Sequence, residues 1–178
     1  MSESTPAKTG WWRKLLGPGR FTVFVVFLLL AAAAAYLGLR AVTLSRQATD
    51  DANARAEALS SASVYAVDLT TYDYRHLETS TDVVAAESTQ AFGRQYRQNS
   101  QSKAAALRAR HSVSTGITVA AGVQDETSTT AHVLVLVDQS VTNTSTRGQT
   151  TRSALRLTLT RTDTKAGPRW LISDLVLL

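Results

Sequence analysis

FTVFVVFLLLAAAAAYLGL, residues 21–39, carries no charged side chain and is closed by Arg20 on one side and Arg40 on the other. A helix rises ~1.5 Å per residue, so a run of this length comes close to the ~30 Å hydrocarbon core of a bilayer. A helix buried in a globular core usually keeps one polar stripe, and this stretch has none. A cleaved signal peptide places an apolar region of ~7–15 residues behind a short basic start. Here the run is longer, begins at residue 21, and its alanine block leads into no clean small-x-small cleavage pattern. The stretch therefore reads as a single retained transmembrane helix.

The flanks set its orientation. Lys8, Arg13, Lys14 and Arg20 precede the span and are opposed only by Glu3, whereas Arg40, Arg46 and Arg55 beyond it alternate with Asp50, Asp51 and Glu57. Counting Lys and Arg alone gives a small positive-inside bias for the tail. Residues 1–20, with Pro6, Gly10, Gly17 and Pro18, read as a disordered basic tail, and everything able to fold lies after the span. Trp11 and Trp12 suit the headgroup level on the tail side and Tyr36 the opposite interface, with Arg20 and Arg40 as charged anchors. The expected arrangement in the plasma (inner) membrane is a cytoplasmic N-terminus and an extracytoplasmic, periplasmic C-terminal domain.

Of the 178 residues, about 138 follow the anchor, enough for one domain with a modest core. The net charge of +5 is mostly local: residues 1–40 hold five basic side chains and one acidic, residues 41–178 fourteen basic and thirteen acidic. A nucleic-acid binder concentrates positive charge on its folded domain, so no nucleic-acid partner is expected. With no cysteine, disulfides, thiolate catalysis and Cys-based zinc sites are all excluded.

Residues 40–68 lack glycine and proline. Ala48, Ala52, Ala56, Leu59, Ala62, Ala66 and Leu69 recur every three or four residues, which marks one helical face. This predicts a stalk that prolongs the membrane helix and becomes the first helix of the domain, its small-residue face meeting either another helix or its own sheet. The domain proper is expected over 69–178. Thr71 or Asp73 is placed to cap a short helix, Ser80-Thr81-Asp82 looks like a further helix entry, and Ser88 to His111 forms a third helical region weakened at Gly93. After His111 the period changes to two: Val113, Thr115, Ile117, Val119, Ala121 and Val123 alternate with small or polar residues. Ala131 to Val137 is apolar almost throughout, as in a central strand covered on both faces; Leu155, Leu157 and Leu159 alternate with polar residues; Trp170 to Leu178 closes the chain. Short polar turns between them predict four antiparallel strands. The expected class is α+β, three helices packed on a curved four-stranded antiparallel sheet.

That order resembles the cone of the nuclear-transport-factor-like superfamily, and Arg169-Trp170-Leu171-Ile172-Ser173-Asp174-Leu175 resembles its closing strand. Leu69-Thr70-Thr71-Tyr72-Asp73-Tyr74, Ser114-Thr115-Gly116 and Val137-Asp138-Gln139-Ser140-Val141-Thr142-Asn143, behind a single span, are together similar to the Mce-associated membrane proteins of mycolic-acid-bearing bacteria. The likeness covers roughly residues 20 to 178. It implies a non-catalytic accessory subunit that stabilises or helps assemble a mammalian-cell-entry (Mce) lipid importer, with the lipid bilayer, importer subunits and lipid itself as partners. Two rival readings stand beside it: a carrier that binds lipid in the cone cavity, and a periplasmic assembly subunit of a type IV secretion-like machine.

Cone folds also host enzymes, so fold alone does not decide chemistry. An isomerase site of this kind needs a carboxylate base facing donors for an enolate oxygen in a dry pocket. Asp73, Asp138 and Asp174 are the candidate bases, and Tyr65, Tyr72, Tyr74 and Tyr96 the candidate donors; a cap, bonds to turn amides, and a bulge or strand hydrogen bond account better for the three carboxylates. His76, His111 and His132 have no metal-ligand spacing, and the chain has neither a glycine-rich phosphate loop nor a Gly-x-Ser-x-Gly elbow. No enzyme and no cofactor is expected. What remains is binding, with Tyr72, Tyr74, Phe92, Tyr96 and Trp170 lining a pocket or interface, or else filling the core. Arg94, Arg97, Arg108 and Arg110 lie along one helix, facing lipid headgroups, an acidic partner or solvent.

Overall fold

The structure, a computed structural model, describes the backbone of residues 18–165 and 167–178; the side chains of 18–29 and of Gln47 fall outside that description. Trp11, Trp12 and the basic tail therefore lie outside the described residues, as do the side chains of Arg20 and of the first nine residues of the expected span. Among the described residues no helix is long and apolar enough to cross a membrane. The chain divides into two compact units, up to Thr49 and from Asp50 onward.

Helix α1 runs Pro18–Thr70, and in its first unit Arg40 Nε donates to the Tyr36 hydroxyl at 3.2 Å. In the second unit follow β1 (Tyr72–Asp73), α2 (Leu77–Ala86), α3 (Gln90–Ala109), β2 (Val113–Glu126), β3 (Thr130–Thr142), β4 (Gln149–Thr164) and β5 (Gly167–Leu177). The α+β class stands, but the sheet has five strands, not four, in the order β1-β2-β3-β4-β5 with every neighbouring pair antiparallel. The extra strand is the segment expected to cap a helix. Tyr72 and Asp73 instead pair with Ser114 and Val113, because β2 offers open backbone groups beside the end of α1. The helix after it begins at Leu77, so Ser80-Thr81-Asp82 lies inside α2 rather than at its start.

The core is formed by one face of the sheet and one face of α1. Val133, Val135, Val137, Leu155, Leu157, Leu159 and Ile172 are buried from the strands, together with Ala58, Ala62, Tyr65 and Ala66 of α1 and Val84 of α2. Each large apolar side chain so covered stabilises by about 1.5–3 kcal/mol relative to exposure. The packed face of α1 matches the expected one in its C-terminal part only. Leu59, Ala62, Ala66 and Leu69 meet the core together with Ala54, Ala58 and Tyr65, whereas Ala48, Ala52 and Ala56 are exposed. Alanine is ambiguous on this point, since its methyl group is as tolerable in water as in a core; Tyr65 decides the face. Strand β3 is likewise covered on one face only: its odd-numbered residues 131 to 137 are buried and the even-numbered ones half-exposed. Strand β4 alternates as its sequence does, with Leu155, Leu157 and Leu159 inward. Bulges in β2 near Thr118 and Val123, and in β5 at Ser173, bend the strands locally.

Two glycines mark close approaches. Gly93 lies against Ala85, where the backbones of α2 and α3 touch, so it serves packing rather than a kink. At Gly116 the end of α1 crosses β2 so closely that a Cβ would fall 1.8 Å from Thr70 Oγ1 and 2.8 Å from Thr70 Cβ. Gly116→Ala is therefore expected to destabilise the domain by about 1–3 kcal/mol through overpacking. Gly122→Ala, with nothing within 4 Å, is expected to stay within about 0.5 kcal/mol of the parent. Urea unfolding followed by circular dichroism compares the two; equal effects would contradict the close crossing.

Candidate functional site

The C-terminus of α1 leaves carbonyls without intrahelical partners. The Thr70 carbonyl is satisfied from the sheet: Ser114 Oγ donates to it at 2.7 Å, and Gln139 Nε2 donates to it at 3.3 Å and to Ser114 Oγ at 2.8 Å. One residue on, Thr71 Oγ1 accepts the Gly116 N–H at 3.0 Å. Thr70 and Ser114 are both buried. Register explains the meeting: Ser114 and Gly116 alternate on β2, and Gly116 pairs with Gln139 across to β3. The three segments that carry the family resemblance, around Thr70, Ser114 and Gln139, thus form one socket for the end of a helix.

Beside this socket a cavity of about 430 Å³ opens between α2, α3 and the sheet. Leu69, Leu77, Phe92, Leu107 and Leu175 give it an apolar lining, and Tyr72, Tyr96, Ser80, Asn99, Lys103 and Asp174 add polar groups. Phe92 and Tyr96, one helical turn apart on α3, stack with ring centroids 6.2 Å apart. Thr89 caps that helix, its hydroxyl accepting from the Phe92 N–H. Burial pushes the Tyr96 hydroxyl above its ordinary range, and a hydrogen bond with Ser100 partly opposes the shift.

Of the five residues expected at a pocket or interface, Tyr72, Phe92 and Tyr96 reach this cavity. Tyr74 stacks instead on His111, centroids 4.9 Å apart, under the Arg75 guanidinium. Trp170 is in the core, 3 % exposed, with Tyr65 donating to its carbonyl at 2.7 Å and the Arg161 guanidinium 5.9 Å from its ring. Its indole N–H is buried without a hydrogen-bond partner among the described residues.

The candidate bases are dispersed. Arg75 holds Asp73 through its side chain and its backbone N–H, the latter at 2.9 Å, which lowers the Asp73 carboxyl to about 2. Arg152 grips Asp138 with two bonds of 2.7 and 2.8 Å and holds it below the usual carboxylate range. Asp174 lines the cavity but is exposed. None of these three carboxylates is thus a dry, unpaired base. Of the arginines on α3, Arg97 pairs with Asp82 at 3.2 Å and Arg108 with Glu78, both ties to α2 rather than open cations. His132 bonds Thr158 at 3.1 Å, and among the described residues no group of three or more metal-ligating side chains is close enough to hold an ion.

One cluster has no signal in the sequence. Asp68, in the last turn of α1, and Glu87, just after α2, bring their carboxyls together near Arg169. Burial first, and the Asp68 charge second, push Glu87 up to about 7, with Arg169 opposing. The two acids are nineteen positions apart on different helices, so no spacing rule pairs them.

No protein-family model matches the sequence, and no curated protein matches it. Among solved structures, the periplasmic domain of DotI (crystal form I) aligns with a TM-score of 0.55 over 67% of this chain and 91% of that one, at 18% identity. At that identity the likeness is one of fold.

Because Trp170 packs in the core with an unpartnered N–H, Trp170→Ala is expected to cost about 3–5 kcal/mol. Trp170→Phe keeps most of the buried area and removes the orphaned donor, so its expected cost is under ~1.5 kcal/mol. Urea unfolding of the two variants measures the difference; similar losses would place the indole in a different role.

Proposed function

We propose that this chain is a non-catalytic, single-pass accessory subunit whose cone-like domain lies outside the membrane and stabilises or helps assemble an Mce-type lipid importer. The observation that carries this reading is the socket at Thr70. The segments behind the resemblance support a helix end rather than a reacting group, so what they share is a scaffold. Two of the three candidate bases are held by arginines and the third is exposed, which favours binding over catalysis. The anchor rests on the uncharged run at 21–39, and the extracytoplasmic placement draws support from the fold likeness to a periplasmic domain. The importer as partner rests on the sequence resemblance.

Affinity capture of the tagged full-length chain after crosslinking in native membranes is expected to recover Mce and permease subunits, and deletion to lower importer abundance and lipid uptake. Unchanged abundance and uptake would overturn the assignment. A second reading, a periplasmic assembly subunit of a type IV secretion-like machine, is favoured by the likeness to the DotI periplasmic domain. Capture of conjugation-type ATPases in place of permeases would select it. The lipid-carrier reading draws on the cavity, and a lipid stoichiometrically bound to the purified chain would favour it over both.

A further inference from the structure

The α2–α3 hairpin is tied to the sheet where its two helices meet. Ser88 bridges Ile172 of β5 in parallel: the Ile172 N–H donates to the Glu87 carbonyl and the Thr89 N–H to the Ile172 carbonyl, both at 2.9 Å. The Glu87 side chain lies at this tie. Its Oε2 is shielded from solvent and has no hydrogen-bond partner among the described residues. Of the charged groups acting on it, the Asp68 carboxyl in the last turn of α1 strengthens its hold on a proton and Arg169 of β5 weakens it. Two carboxylates so placed repel unless a proton lies between them, and that proton turns repulsion into a hydrogen bond. Arg169 is exposed and offsets only part of the charge. Residues on both arms of the hairpin, and Ser173 next to Ile172, line the cavity.

We propose that Asp68 and Glu87 form a proton-operated latch that sets how firmly the α2–α3 hairpin, and with it one wall of the cavity, is held on the sheet. With the hairpin closed Glu87 keeps its proton up to about 7, whereas in water it loses it near the ordinary 4.5. The closed form therefore binds one proton more between those values. The latch is fully effective below pH 4.5, weakens as pH rises through this window, and levels off above about 7. One extra proton changes the closing equilibrium about tenfold per pH unit, or on the order of 100-fold across the window.

The test is hydrogen–deuterium exchange of the full-length chain in mild detergent at pH 5 and pH 8, with rates corrected for intrinsic exchange. The readout is protection of peptides spanning 77–109 relative to peptides from β3. In the parent this ratio is expected to fall on the order of 100-fold as pH rises. Glu87→Gln removes the titrating group and is expected to keep the ratio constant within about threefold. Asp68→Asn, which gives Glu87 a neutral hydrogen-bonding neighbour, should shrink the change as well, and it reads the same latch if Glu87→Gln unfolds. A constant ratio in the parent, or an undiminished fall in both variants, would overturn the proposal.

Discussion

The carbonyl at the end of a long helix is a fixed demand, and here the sheet meets it. Thr70 accepts from Ser114 and Gln139, on adjacent strands, while Gly116 lets the helix backbone come close enough for those bonds to form. A buried carbonyl left without partners would cost about 1–3 kcal/mol, so β2 and β3 must hold their register opposite the helix end. A slip of one residue would turn Ser114 and Gln139 to the other face and bring β-branched side chains onto Thr70. The same placement sends the chain directly into β1, so the fifth strand is a consequence of how α1 terminates.

The remainder of the domain follows from that attachment. The inward faces of β3 and β4 close over Ala58, Ala62, Tyr65 and Ala66, and small side chains on the helix let it lie close to the strands. Helices α2 and α3 are held differently: ion pairs between them, Gly93 against Ala85, and the backbone bridge at Ser88. Exposed ion pairs contribute little, about 0–1 kcal/mol each, so the buried Val84 and the packing of Phe92 and Tyr96 on the core do most of the holding. This layer also walls the cavity.

Much of this was legible in the residues. The change of period at His111, the hairpin turns and the inward leucines of β4 all specify strands directly, because alternation is a property of one strand and its solvent. The α1 face was legible at Leu59, Ala62, Ala66 and Leu69 but not before them, because alanines at 48, 52 and 56 have the right spacing but too little area to require burial. The β1 strand is two residues long, too short for any periodicity, and exists only because β2 is there to pair with it. Phe92 and Tyr96 were readable as a pair one helical turn apart, and both reach the cavity. The burial of Trp170 was one of the two readings its sequence allowed, whereas the interaction of Asp68 with Glu87 depends on tertiary packing alone, which no local pattern encodes.

The segments around Thr70, Ser114 and Gln139 act as one architectural unit. A double-mutant cycle on Ser114→Ala and Gln139→Ala, read by urea unfolding of the full-length chain in mild detergent, tests it directly. If the socket exists, the two substitutions share the Thr70 carbonyl and couple by roughly 0.5–3 kcal/mol. Losses that add within ~0.3 kcal/mol would mean that the two side chains do not meet, and the account of how this domain is held together would be wrong.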